Sequence, residues 1–218
     1  MVPAPSPGCA ADSLKARSRR GTSMRPAVFL DRDGVLNARR LPLVRKPSQL
    51  RILPGVAEAV SRLTRAGFAV CVATNQEFVD QPWFGSTYIR REDHDEVMRL
   101  VVEAMESEGG AVDGVYACLH RRGSNCEDQK PKPGLLRQAA RELELDLKAS
   151  FMVGDNTKDM LAGRRAGCRT VLVDPRLRTR LQRADRYATH VARDLPAAVD
   201  WILRQKPVVP RVALRPLA

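Results

Sequence analysis

The chain has 218 residues, 44% hydrophobic and 28% charged, which fits one soluble α/β domain with tails and a proper core. No apolar run approaches the roughly 20 residues that cross a bilayer. The five cysteines are an odd number without a paired framework, so a reducing, cytoplasmic setting is expected rather than secretion. The formal charge of +12 invites a nucleic-acid partner, but its distribution argues against one. Residues 1–26, the stretch Asp174 to Arg193 and the tail from Leu203 each carry a net +4, and the remainder cancels. A central domain without a basic stripe is a poor polyanion binder.

Residues 1–23 are rich in Ser, Pro, Ala and Arg without apolar periodicity, a disordered composition. They read as a leader, an organelle transit peptide or an over-long start ahead of Met24. The domain itself is expected over 24–205, with a tail at 206–218. Its first strand, Ala27 to Leu30, is short and wholly apolar, as in a buried parallel sheet, and runs into Asp31-Arg32-Asp33-Gly34. Ligands of open parallel sheets lie beyond the carboxyl ends of the strands. Two carboxylates one residue apart there repel unless a cation or shared proton relieves them. That suits Mg²⁺ together with a carboxylate nucleophile and its acid/base partner.

Ala38 to Pro54 is irregular and too short for a cap domain, with four basic residues between Arg39 and Lys46. Gly55 to Gly67 reads as a helix, with Val56, Val60 and Leu63 on one face and Gly67 as its stop. A second strand, Phe68 to Ala73, leads into Thr74-Asn75-Gln76 and then an irregular loop from Glu77 to Thr87. Val97, Leu100, Val101, Ala104 and Met105 mark the next helix. Val115 to Cys118 is the third strand, and from it emerges Cys118-Leu-His120 and, further on, Cys126-Glu-Asp128-Gln129-Lys130-Pro131. Leu135 to Leu143 is helical, Phe151 to Val153 a fourth strand ending in Gly154-Asp155-Asn156. A helix follows through Met160 to Gly167, with Asp159 in its first turn, where negative charge is favoured. Thr170 to Val173 is the fifth strand, and Leu195 to Leu203 the last helix. This alternation predicts a doubly wound, mainly parallel α/β sheet flanked by helices.

Asp31 with Asp33, Thr74, Lys130, and Asp155 with Asp159 form an ordered set at successive strand ends. The set resembles the four motifs of the haloacid dehalogenase superfamily of aspartate-nucleophile phosphatases, over about residues 26–205. The resemblance implies a Rossmann-like domain without a large cap, acting on a small phosphorylated substrate as a monomer. It implies Asp31 as the nucleophile and Asp33 as acid and base, the latter with a pKa well above an ordinary Asp once substrate is bound. It also implies Mg²⁺ on Asp31, the Asp33 carbonyl and Asp155, with Thr74 and Lys130 binding phosphoryl oxygens. Asp159 would cap its helix and orient Lys130 or the metal ligands. Asn75, Gln76, Gln129 and Asn156 are the expected substrate contacts.

Cys118, His120 and Cys126 resemble a zinc-bearing, capless branch of that superfamily, the branch of heptose bisphosphate and histidinol-phosphate phosphatases. Asp128 stands where a last cysteine is usual; zinc accepts a carboxylate, so a four-ligand structural Zn²⁺ site is expected. The departures fall where substrate would be read: Ala38-Arg39-Arg40 after Asn37, a long loop after Gln76, Gln129 for an arginine and Asn156 for a lysine. By the rest of the resemblance a heptose bisphosphate is the leading substrate and histidinol phosphate the runner-up. A nucleic-acid 3′-phosphatase using the arginine-rich stretch Arg176–Arg186, and a catalytically dead binding protein, rank lower.

Overall fold

A computed structural model describes residues 24–40, 43–80, 88–121, 123–175 and 185–205. The 1–23 leader, the 206–218 tail, the tip of the Glu77–Thr87 loop and nearly all of the Arg176–Arg186 stretch lie outside the described residues.

Among the described residues six parallel strands make one sheet in the order β3-β2-β1-β4-β5-β6. They are β1 Arg25–Leu30, β2 Ala69–Asn75, β3 Gly114–Cys118, β4 Leu145–Gly154, β5 Arg169–Val173 and β6 His190–Ala192. The helices are α1 Val56–Arg65, α2 Arg91–Glu106, α3 Gly134–Leu143, α4 Thr157–Ala166 and α5 Leu195–Gln205. Among the described residues the β1–α1 connection holds only a short 3₁₀ turn, Pro47–Gln49, so no large cap is inserted there. No helix of the described residues is long and apolar enough to cross a membrane.

The alternation of side chains along β1 explains the two-sided burial. Val28 and Leu30 pack with Val56, Val60 and Leu63 of α1, Val97 and Val101 of α2, and Val199 and Ile202 of α5. Ala27 and Phe29 face the other way, onto Leu135, Leu136 and Ala139 of α3. With both faces covered, β1 must be apolar throughout, as its sequence is. β1 pairs with β2 on one side and β4 on the other, and the ladder continues past its end, Asp31 N–H donating to the Val153 carbonyl at 2.9 Å. The chain reversal at the centre of the sheet opens the crevice into which the strand ends project.

Two features go beyond the sequence expectation. β6 has only three residues, none of them in an apolar run, and is recognisable only through its pairing with β5. β4 begins at Leu145, where polar and half-exposed positions alternate before the buried run starts.

Candidate active site

Four loops at the carboxyl edge build a pocket of about 250 Å³ that includes Asp31, Asp33, Thr74, Asn75, Gln76, Lys130, Asp155, Asn156 and Asp159. Asp31 extends β1. Immediately beyond it the Arg32 carbonyl accepts from Leu36 and Asn37 N–H, closing a tight turn. Gly34 sits in that turn at φ +88, and a Cβ there would lie 2.0 Å from Asp155 Oδ2. Glycine is needed twice over, for the backbone and for the carboxylate packed against it.

Lys130 is the hub of the pocket. Its side chain is 3% exposed, and Nζ lies 2.8 Å from Asp31 Oδ1, 2.6 Å from Asp159 Oδ1 and 2.8 Å from the Ala73 carbonyl. Its backbone is held by Asn75, whose Oδ1 accepts Lys130 N–H and whose Nδ2 donates to the Lys130 carbonyl, both at 3.0 Å. Asp159 does what its place in the first turn of α4 suggests. Its Oδ2 accepts from Asn156 N–H at 3.1 Å while Asn156 Oδ1 accepts from Lys158 N–H, a reciprocal cap.

Burial sets the electrostatics. It pushes Asp31 up to about 6, helped by Asp159 and opposed by Lys130. Burial and the facing Asp31 charge push Asp155 up to about 6, with Arg39 opposing. Burial pulls Lys130 down, but Asp159 and Asp31 more than offset it and hold its pKa above the ordinary value. Asp33 is shifted the other way in the free chain, whereas the acid/base expectation concerns the substrate-bound site. Burial raises it, but Arg32, Asn37 and Gln76 outweigh burial and hold it below the usual carboxylate value. Arg32 Nη2 donates to both Asp33 oxygens at 3.0 and 2.8 Å, Asn37 Nδ2 to Oδ1 at 2.9 Å, and Gln76 Nε2 to Oδ2 at 3.2 Å. Each bond favours the ionised form.

Among the described residues, two groups of side chains could hold metal. Carboxylate oxygens of Asp31, Asp155 and Asp159 all lie within 4.8 Å of one another. A hard-oxygen set in which Asp159 raises Asp31 and Asp31 in turn raises Asp155 fits Mg²⁺, which would relieve that repulsion. Cys118, His120 and Cys126 form the second group. Cys118 Sγ lies 3.9 Å from Cys126 Sγ and 4.0 Å from His120 Nδ1, near the ligand–ligand spacing of a tetrahedral Zn²⁺ with bonds of about 2.0–2.3 Å. Burial pushes Cys118 up to about 12, so a metal would have to draw off the proton.

Asp128, expected as the fourth zinc ligand, is not in that group. Its Oδ1 lies against Gly134 at the start of α3, 2.4 Å from where a Cβ would stand. Gln129, expected at the substrate, does not line the pocket; its Nε2 donates to the His120 carbonyl at 2.9 Å, giving a loop carbonyl its partner. Thr74, Asn75, Gln76 and Asn156 do line it, although Asn75 is engaged by the Lys130 backbone and Gln76 bridges Thr74 Oγ1 (2.9 Å) and Asp33. Arg39 and Arg40, noted in the sequence only as a departure in the substrate-reading segment, and Lys158, missed there, also line the pocket. Arg39 Nη2 lies 2.6 Å from both Asp155 oxygens. The available signal was Ala38-Arg39-Arg40 immediately after the Asp31–Asn37 turn.

A HAD-hydrolase-like family profile matches residues 128–198. The D-glycero-D-manno-heptose-1,7-bisphosphate 7-phosphatase of Thermosynechococcus vestitus is 38% identical, covering 82% of this chain and 95% of the relative. The D-glycero-beta-D-manno-heptose-1,7-bisphosphate 7-phosphatase of Bordetella bronchiseptica is 34% identical over 82% of this chain and 98% of its own length. A crystal structure of D,D-heptose 1,7-bisphosphate phosphatase from B. bronchiseptica, complexed with magnesium and phosphate, superposes with a TM-score of 0.69 at 29% identity. That match covers 83% of this chain and 99% of the crystallised one.

Proposed function

Since the chain belongs to the haloacid dehalogenase-like hydrolases, we propose that it is a Mg²⁺-dependent phosphatase removing the 7-phosphate of D-glycero-D-manno-heptose 1,7-bisphosphate. The observation that carries this reading is Asp31 at the end of the central strand, with Lys130 Nζ at 2.8 Å and the Asp155 carboxylate beside it. A nucleophile, a fixed cation and a second hard ligand meet there at one end of the pocket.

In this scheme Asp31 attacks phosphorus and becomes an aspartyl phosphate, and Asp33 protonates the leaving alkoxide and then takes a proton from the attacking water. Before it can donate, Asp33 must exchange its bonds to Arg32, Asn37 and Gln76, which favour the ionised form. Asp31, Asp155 and the Asp33 backbone carbonyl would hold Mg²⁺, which when bound neutralises charge between nucleophile and phosphate. Lys130 and the Thr74 hydroxyl hold phosphoryl oxygens. Asn75 and Asp159 position Lys130. Gln76 and Asn156 remain as substrate-side polar groups.

Zn²⁺ in this scheme is structural, held by Cys118, His120 and Cys126 with water as fourth ligand. It pins the loop that runs from β3 to Lys130. The enzyme acts as a cytoplasmic monomer, and the described free thiols, Cys71, Cys118, Cys126 and Cys168, suit a reducing compartment.

The test is Mg²⁺-dependent phosphate release from heptose 1,7-bisphosphate and from histidinol phosphate, side by side. A preference of about 100-fold in kcat/KM for the heptose, roughly 3 kcal/mol of transition-state discrimination, is expected. A flat or histidinol-favouring result removes the heptose assignment and leaves the phosphatase chemistry.

A further inference from the structure

The mouth of the pocket carries charges that the phosphoryl-transfer scheme does not use. Around Lys130 the deep groups are carboxylates: Asp31, Asp155 and Asp159. Nearer the mouth lie Arg39 and Arg40 from the segment after Asn37 and Lys158 from the first turn of α4, with the acids Asp33 and Glu77 also in the lining. Exposure separates the two tiers. Lys130 and Asp31 are 3% and 13% exposed, whereas Arg39 is 51% and Lys158 35% exposed. Lys158 Nζ sits 3.3 Å from Glu77, a loose pair, and Arg40 makes no ion pair with a described residue. Arg40 thus offers a charge that no described carboxylate takes up, Lys158 is only loosely held, and a dianion at the opening would find partners in both.

We propose that Arg39, Arg40 and Lys158 form a second anion subsite, which takes the phosphate that is not being hydrolysed. The inference rests on the bisphosphate reading above and assigns residues to the distal group. Arg39 enters the subsite in exchange for its bond to Asp155. The same guanidinium nitrogen lies 2.6 Å from both Asp155 oxygens, so a cation bound on those oxygens displaces it toward the mouth. Metal and bisphosphate binding are thereby coupled, because the metal frees a group that the distal phosphate uses.

The experiment compares kcat/KM for heptose 1,7-bisphosphate and heptose 7-phosphate in the wild type, Arg39→Ala, Arg40→Ala and Lys158→Ala. Each substitution is expected to lower the bisphosphate-to-monophosphate ratio about tenfold, the loss of one charge-assisted contact. Calorimetric titration with Mg²⁺ alone is expected to show several-fold tighter binding in Arg39→Ala, since a competitor for Asp155 has gone. An unchanged ratio in all three variants overturns the subsite, and unchanged or weaker Mg²⁺ binding by Arg39→Ala overturns the exchange. If the wild type turns over neither heptose, the substrate reading fails separately. The subsite is then tested by the affinity of Asp31→Asn for fructose 1,6-bisphosphate and fructose 6-phosphate. A bisphosphate preference that Arg40→Ala abolishes supports it, and equal affinities overturn it.

Discussion

Asn75 grips the backbone of Lys130 from both sides, accepting from its N–H and donating to its carbonyl, while the lysine side chain reaches Asp31. A residue at the end of β2 thus fixes a cation delivered by the loop after β3. Replacing Asn75 by Ala removes both bonds and leaves two backbone groups short of partners. A loss of about 1–3 kcal/mol in unfolding free energy is expected, with kcat down on the order of 10–100-fold from misplaced charge. Denaturant melts and steady-state kinetics on the same preparation check both figures.

The raised carboxylates make stability and Mg²⁺ binding depend on pH. With Asp31 and Asp155 at about 6 in the fold against 3.8 without it, the folded state binds more protons between those values. Their contribution to stability therefore falls as pH rises from about 4 to 6, and the penalty is fully present above that window. Mg²⁺ should offset it only where both groups are ionised, so the rise in Tm on adding Mg²⁺ is expected to be larger at pH 7.5 than at pH 5. An equal rise at both values would contradict the placement of the metal on these oxygens.

Asp31→Asn should abolish turnover yet leave the metal-free protein folded. Because ionised Asp31 is disfavoured by its surroundings, the neutral amide is expected to add up to about 3 kcal/mol, less whatever Lys130 loses as a partner. Phosphate release at the wild-type rate would remove the nucleophile assignment, and a collapsed melt would remove the electrostatic argument.

Gly34→Ala places a methyl against the Asp155 carboxylate at a backbone angle of φ +88. The left-handed conformation alone costs about 1–2 kcal/mol, and Asp155 must also move. Tm is expected to fall and Mg²⁺ affinity to drop by an order of magnitude or more, measurable by calorimetry without substrate.

The cysteine-rich loop offers an assay independent of catalysis. Protein purified without chelator is expected to carry about one zinc per chain, and Cys126→Ser to lose it together with several degrees of Tm. Metal-free protein with the same melting temperature would make Cys118, His120 and Cys126 an unmetallated cluster.

The sheet was readable because β1, β2, β3, β4 and β5 each contain an apolar run that only a two-sided core can bury. β6 was not readable, since His190-Val191-Ala192 takes its strand character from the neighbour it pairs with. At the site, Asp31, Lys130, Asp155 and Asp159 were legible because chemistry demands those types at strand ends. What spacing could not supply was direction. Gln129 stands beside Lys130 yet serves the His120 carbonyl, Asp128 turns to α3, and Asp33 is bonded into its ionised form. Arg39 joins Asp155 across 116 positions, a pairing no local pattern carries.

The central place of β1 has a consequence for how the protein is made. β1 pairs first with β2, which follows closely in the chain, but its other edge waits for β4, and the bond from Ala27 N–H to Ser150 Oγ spans 123 positions. At about 5–20 residues per second of synthesis, the strand that ends in Asp31 leaves one edge open for roughly 6 to 25 seconds. During that interval its most apolar segment is a template for other chains. Phosphatase activity would then arise late and all at once, so its recovery on refolding reports closure of the whole sheet.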